Sequence, residues 1–372
     1  MILTPENRKL GRRNFVKAVA SLPVAGGLVW HAASARPVRA GIIGSGSQGR
    51  VLMENSPASH LRFSAVCDIY PPNLEKGLDI ARKRHDPRVQ GYSDYRQLLE
   101  RKDIEAVVIA SPLWLHSKMT VDALQSGKHV FCEKPLALTK ESAERSIDAC
   151  EAAGVVLGVG HERRFEPAMM EIKRMIEEGE LGKIMHVEAN FSHNKLANLP
   201  PDNWRVSTRE SPAAGMTATG IHLSDAYLSM FGPIKEVYAQ TARRNSANTN
   251  GDVLSFQVRF ESGATGFFNS VLDTPLYLRY CVFGSTAWVE AKDYHHPSET
   301  GPTNLSICRQ EGHVDSVNFE WEDTVRINFD AFATACLGGT SYPFSNQDKL
   351  QNIAVFEAIC KSVESGERQK VG

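Results

Sequence analysis

The chain has no Cys-x-x-Cys pair, no apolar run of membrane length, no basic stripe with interleaved aromatics and no internal repeat, and each absence removes a class of protein. Its seven cysteines (Cys67, Cys132, Cys150, Cys281, Cys308, Cys336 and Cys360) stand mostly in apolar contexts at no paired spacing. They read as small buried hydrophobes rather than a disulfide framework or a zinc ribbon. His295-His296 is too short a cluster for a metal site, and no metal is expected. The apolar stretch Ala18 to Trp30 is diluted by Pro and Gly and falls short of the ~20 residues that span a bilayer, so no membrane anchor is expected in the mature chain. The formal charge is −1, which argues against nucleic acid and anionic membrane as partners. What remains is ordinary soluble composition, 42% hydrophobic and 23% charged, over 372 residues, enough for two or three domains.

Gly11-Arg12-Arg13-Asn14-Phe15-Val16-Lys17 resembles a twin-arginine export signal, with Gly where Ser or Thr is usual, and Ala33-Ser34-Ala35 offers small residues for cleavage. The expectation is a leader over 1–35 and a periplasmic product exported already folded. The chain is cytoplasmic if the leader does not function.

Gly41 to Gly49 reads Gly-Ile-Ile-Gly-Ser-Gly-Ser-Gln-Gly, and Asp68 closes the apolar run Phe63 to Cys67. Gly44 permits a tight strand-to-helix turn, Gly46 lets main chain approach a pyrophosphate, and Gly49 lets the helix pack close to the strand. Ser47 and Gln48 then open a helix whose N-terminus can hold the anion. Asp68 is placed to accept hydrogen bonds from the adenosine ribose and to repel a 2′-phosphate, favouring NAD over NADP.

From 36 to 160, short apolar runs (Val38 to Ile43, Phe63 to Asp68, Ala106 to Ala110, His129 to Cys132, Val155 to Val159) alternate with helical segments, as in a doubly wound parallel sheet. From 161 to 345 the runs lengthen and alternate with period two, including Ile184 to Ser192, Ile234 to Arg243 and Val253 to Phe260. Helices are expected over Pro167 to Glu178 and Gly220 to Met230. This is a second α/β domain with a large open, mainly antiparallel sheet, helices on one face, and a homodimer or homotetramer covering the other. Residues 346–372 hold a helix, Asn346 to Ser365, expected to pack back near the first domain.

The ordered set formed by the glycine turn, Ser111-Pro112 with His116, Glu133-Lys134-Pro135, Arg163-Arg164-Phe165, Trp204-Arg205 and Gly220-Ile221-His222 with Asp225 resembles the glucose-fructose oxidoreductase, inositol dehydrogenase and rhizopine-catabolism (Gfo/Idh/MocA) family over nearly all of the mature chain. The resemblance implies a Rossmann domain, a C-terminal α/β domain used for oligomerisation, and NAD(P)-dependent oxidation or reduction of sugars, cyclitols and related alcohols. It implies that Ser111, Pro112, His116, Glu133 and Lys134 join the glycine turn and Asp68 around the cofactor.

Lys134 sits where a strand ends, before a proline that fixes the backbone. Desolvated beside a cationic nicotinamide, its ammonium loses its proton more readily and can then take a hydroxyl proton. The plainer alternative is an ion pair with Glu133. His222 can shuttle a proton or hydrogen-bond the reacting hydroxyl, with Asp225, one helical turn on, orienting it. Arg163, Arg164 and Arg205 can bind substrate hydroxyls or a carboxylate, Trp204 offers a wall for a sugar ring, and Thr219 and Asp225 complete the substrate set. His161 belongs to the same crevice. One departure is specific: the family pattern has Asp four residues before this His, and here the position is Ala218. Three readings follow: an oxidoreductase acting on a carbohydrate or cyclic polyol, a redox-assisted glycoside hydrolase or lyase that keeps its NAD, and a non-catalytic nucleotide or sugar binder.

Overall fold

The computed structural model describes residues 36–200, 202–245 and 250–372; the leader and cleavage site expected over 1–35 lie outside them. Six strands form the first sheet: β1 (Val38–Ile43), β2 (Leu61–Cys67), β3 (Gln90–Tyr92), β4 (Ala106–Ile109), β5 (His129–Cys132) and β6 (Leu157–Val159). All are parallel, in the order β3-β2-β1-β4-β5-β6. Their near-continuous apolar runs suit strands buried on both faces, and β4 is buried at every position. Five helices cross over: α1 (Ser47–Asn55), α2 (Pro71–Arg84), α3 (Tyr95–Leu99), α4 (His116–Gln125) and α5 (Lys140–Ala153).

The strand order reverses between β1 and β4, the point at which such sheets open a crevice. Ladder bonds run one residue past the strands: Gly44 N donates to Cys67 O (2.8 Å), Ala110 N to Ile43 O (2.8 Å) and Glu133 N to Ile109 O (2.9 Å). Gly44, Ala110 and Glu133 are thereby aligned along one rim.

The second sheet has nine strands in the order β14-β13-β12-β11-β7-β10-β9-β8-β15. They are β7 (Ile184–Ser192), β8 (Ile234–Ala242), β9 (Val253–Phe260), β10 (Thr265–Val271), β11 (Tyr277–Gly284), β12 (Trp288–Asp293), β13 (Thr303–Gln310), β14 (His313–Phe319) and β15 (Gln369–Lys370). Only β7 and β10 pair in parallel. Helices α6 (Pro167–Glu177) and α7 (Gly220–Phe231) belong to this half. Inward residues such as Phe256, Phe268 and Tyr280 are fully buried, whereas Tyr238, Phe267 and Tyr277 on these strands are exposed. The α/β architecture expected from the sequence, a parallel sheet followed by a mainly antiparallel one, is the fold observed.

Four features go beyond the sequence reading: the edge strand β3, the hairpin β13–β14, helix α8 (Thr324–Cys336) and the two-residue strand β15. Although α8 follows the second sheet, Phe329 and Phe332 pack on Phe131 of β5, with ring centroids 4.6 and 5.5 Å away. The last helix, α9 (Asn346–Ser365), packs on β8, α7 and α5, with Ile353 in the core of the first sheet. All seven cysteines are free.

Candidate active site

A cleft of about 810 Å³ runs from the glycine turn to the loops of the second sheet. At one end Gly44 has φ +93°, and a Cβ there would lie 2.5 Å from Ala110 O. Only glycine fits both the dihedral and the space. Gly49 lies behind the cleft wall, where a Cβ would come within 2.0 Å of Gly44 O, so α1 rests directly on the turn. Gly46 is the N-cap of α1, with no side-chain cap and no acid in the first turn, so the N–H groups that Ser47 and Gln48 begin remain free for an anion.

Asp68 stands at the end of β2, held by main-chain donors: Ser45 N reaches Oδ2 at 2.8 Å and Tyr70 N reaches Oδ1 at 2.9 Å. Its carboxylate is fixed facing the cleft with lone pairs to spare for ribose hydroxyls. An open glycine cradle, an uncapped helix start and an anchored acid fit a dinucleotide.

Ser111, Pro112 and His116 form the next stretch of wall. The His116 ring spans two strand-end loops, Nδ1 lying 2.7 Å from Pro135 O and Nε2 2.9 Å from Ser111 O. Both nitrogens are committed to main chain, so His116 shapes the wall rather than reaching a ligand through them. Gln48 Nε2 donates to Glu133 Oε1 (2.9 Å), and Lys134 N donates to Oε2 (3.1 Å). Burial raises the Glu133 carboxyl to about 7.

Lys134 does not form the ion pair with Glu133. Its Nζ donates to the carbonyl oxygens of Ala218 (2.8 Å) and Thr217 (3.2 Å), on the approach to α7. The position that lacks a carboxylate side chain therefore still holds the lysine, through its main chain. Burial lowers the Lys134 ammonium to about 8, opposed by Glu133 and Glu162 and aided by Arg205 and Arg163. A neutral amine can serve both carbonyls with its two hydrogens and keep its lone pair free.

His222, on α7, is buried in the cleft wall, and its Nδ1 has no hydrogen-bond partner. Burial pushes its pKa well down, reinforced by the charges of Lys134 and Arg163, so it is neutral at physiological pH. Two further histidines, absent from the sequence reading of the site, face the same space: His193 after β7 and His296 in the β12–β13 loop, with rings 5.5 Å apart. Burial lowers them to about 4 and about 3. Trp114, Glu162 and Lys195 are also in the cleft wall and were not singled out from sequence. Arg163 lines it too, paired with Glu166 (2.7 Å) and Glu162 (3.4 Å), and Trp204 and Arg205 stand near Trp114.

Three residues assigned to substrate lie elsewhere. Asp225 does not orient His222; it takes a two-pronged pair from Arg164 (2.7 and 2.8 Å). Arg164 also reaches Asp348 of α9 (3.2 Å), so both are spent joining α7, α9 and the 162–165 turn. Charge neutralisation in a buried place removes them from ligand duty. Thr219 is buried behind the wall, donating to Gly215 O (3.0 Å). His161 stays close to this tie, 4.0 Å from Asp225, and accepts from Asn352 Nδ2 (3.0 Å). Among the described residues no group of three or more His, Cys, Asp or Glu is arranged to hold a metal.

Residues 38–161 match the model of the oxidoreductase family with NAD-binding Rossmann fold, Gfo/Idh/MocA, and residues 169–290 match a Gfo/Idh/MocA C-terminal domain. The chain is 34% identical to the uncharacterized oxidoreductase YrbE of Bacillus subtilis over 88% of its own length and 94% of that protein. It is 28% identical to D-xylose 1-dehydrogenase (NADP(+)) 2 of Haloferax volcanii over 74% of its length and 83% of that protein. In fold it is similar to levoglucosan dehydrogenase in complex with NADH, with a TM-score of 0.78 at 21% identity, covering 91% of this chain and all of that one (100%).

Proposed function

This chain belongs to the Gfo/Idh/MocA family of NAD(P)-dependent oxidoreductases acting on CH–OH groups, and we propose that it moves hydride between a hydroxyl-bearing carbon of a carbohydrate or cyclic polyol and NAD. The observation that carries this reading is the Lys134 amine, held at the cleft floor by two carbonyls beside the ends of β4 and β5. Bound nicotinamide supplies the hydride acceptor. Neutral Lys134 takes the hydroxyl proton at Nζ as the C–H bond is lost, while the Thr217 and Ala218 carbonyls keep the amine in place. His222, neutral and with a free side of its ring in the cleft, hydrogen-bonds the reacting oxygen. Asp68 supports NAD over NADP, because a 2′-phosphate would meet an anchored carboxylate.

Ala218 removes a side-chain carboxylate but not the lysine's support, which favours a working enzyme over a nucleotide-binding relic. The exposed outer face of the second sheet supports a homodimer or homotetramer, to be read by light scattering. The twin-arginine pattern supports a periplasmic location, to be read by cell fractionation.

The test is to add sugars and polyols to the purified chain with NAD and follow reduced nicotinamide. Turnover should appear, and Lys134→Ala should lower kcat by about 10³-fold while NADH still binds. Full activity in that variant would overturn the assignment.

A further inference from the structure

We propose that the substrate carries a carboxylate, making it a sugar acid of the aldonate or uronate kind, and that Arg205 is the residue that selects it. The inference rests on the oxidoreductase reading above and names its substrate class.

The cations of the substrate end differ in what they already hold. Arg163 is neutralised by Glu166 and Glu162, and Lys195 pairs with Glu299 at 3.1 Å. Lys134 is occupied by two carbonyls. The Arg205 guanidinium, by contrast, has no hydrogen-bond acceptor and no carboxylate within 4 Å among the described residues. It lies 4.2 Å over the face of Trp204. Burial lowers its pKa, with Glu133 acting at longer range in the opposite direction. In the open cleft water can meet its donors, and a carboxylate that displaces that water gains charge-assisted hydrogen bonds.

Its mount is rigid. Trp204–Val206 forms a 3-10 turn, Asn203 Oδ1 accepts from Arg205 N at 3.0 Å, and Trp114 meets Trp204 edge-on with ring centroids 6.1 Å apart. The guanidinium lies over the Trp204 face in the cleft wall, and its edge, which carries its donors, meets no protein acceptor among the described residues. That edge matches a planar carboxylate with two parallel hydrogen bonds. One unpaired positive charge balances a monoanion, whereas a phosphate dianion would ask for a second. Arg205 and Lys134 line the same cleft, so a sugar acid gripped by Arg205 shares that space with the proton acceptor. The Glu133 oxygens, whose charge acts on Arg205, are taken by Gln48 and by main chain.

The experiment compares wild type with Arg205→Gln and Arg205→Lys, using gluconate, glucuronate and galacturonate against glucose, galactose and glucose 6-phosphate, with NAD saturating. In wild type at least one sugar acid should exceed its neutral counterpart in kcat/KM. In Arg205→Gln that acid-to-neutral ratio should fall about 100-fold, mainly through KM, with partial recovery in Arg205→Lys. Quenching of bound NADH fluorescence by the same compounds reads the contact without turnover. Quenching by sugar acids that is lost in Arg205→Gln, together with no turnover of any compound, would sustain this inference and sink the hydride-transfer reading instead. The inference is overturned if no acid in the panel binds, if neutral sugars or the phosphate are preferred, if Arg205→Gln lowers every substrate equally, or if it weakens NADH binding.

Discussion

At the nucleotide end of the cleft the frame is main-chain atoms and glycine gaps on parallel strand ends, with Asp68 as its anchored acid, whereas at the substrate end the working groups are side chains gathered from both halves: Lys134 after β5, His222 on α7, and Arg163, His193, Arg205 and His296 from turns and loops. The first arrangement tolerates almost no added volume, because at Gly44 and Gly49 backbone meets backbone. The second keeps its charges in pairs and leaves only selected groups free, so its chemistry can change without disturbing the frame. Ala218 illustrates this: a carboxylate position in the family pattern is a methyl group here, yet the lysine remains anchored by the carbonyl of the same residue. Nucleotide binding should therefore fail most sharply through sterics, and substrate handling through charge.

The largest effect that would break this contrast is at Gly44. Gly44→Ala places a Cβ 2.5 Å from Ala110 O at a positive φ. It should cost at least about 2 kcal/mol of stability and abolish measurable NAD binding, as seen by calorimetry. Wild-type affinity in that variant would show that the turn yields easily. Next, Asp68→Asn should weaken NAD by about tenfold and narrow the gap to NADP, since it removes charge-assisted bonds to ribose hydroxyls. An unchanged NAD-to-NADP ratio would release Asp68 from that role.

A pH profile probes the other end. Lys134 must be neutral to accept a proton in the oxidative direction, and burial sets its pKa at about 8. Oxidation should rise about tenfold per pH unit below 8 and level off above it, while the reductive direction, which needs the ammonium, should fall above 8. His222 stays neutral throughout and adds no second limb near neutrality. A flat profile between about pH 6 and 10 would remove Lys134 as the proton acceptor. The smallest effect concerns Ala213 and Ala214, both left-handed at φ 59° and 51° in the loop before α7. Ala213→Gly should raise stability by no more than about 1 kcal/mol, read as a small increase in Tm, because glycine relieves the strain but gives back unfolded-chain entropy.

The nucleotide end is legible in the sequence because its signals are short-range: glycine spacing, an acid in register and strand-end motifs. Helices with strong ends are equally legible. Thr139 caps α5 and Gly154 closes it at φ 63°, while a Ser345–Asp348 capping box opens α9 and Gly366 closes it at φ 70°. The misses have physical causes. Strand β3 is three residues at a sheet edge, and β13–β14 shows few buried residues because much of it is solvated. Helix α8 carries β-branched and aromatic residues that weaken a helical reading, although Val325, Phe329, Phe332 and Ala333 fall on one face. His193 and His296 meet only through tertiary structure, one placed by the pairing of His193 N with Val271 O, the other by a distant loop. Asp225 was misread because local spacing cannot reveal that Arg164 reaches it first.

Helix α8 has one more consequence. Phe329 and Phe332 seal the underside of β5, yet they are synthesised after the whole run of strands from β7 to β14. A growing polypeptide thus leaves the ribosome with its dinucleotide half unroofed until the segment after β14 emerges, and a fragment cut after β6 would expose Phe131 to water and be prone to self-association.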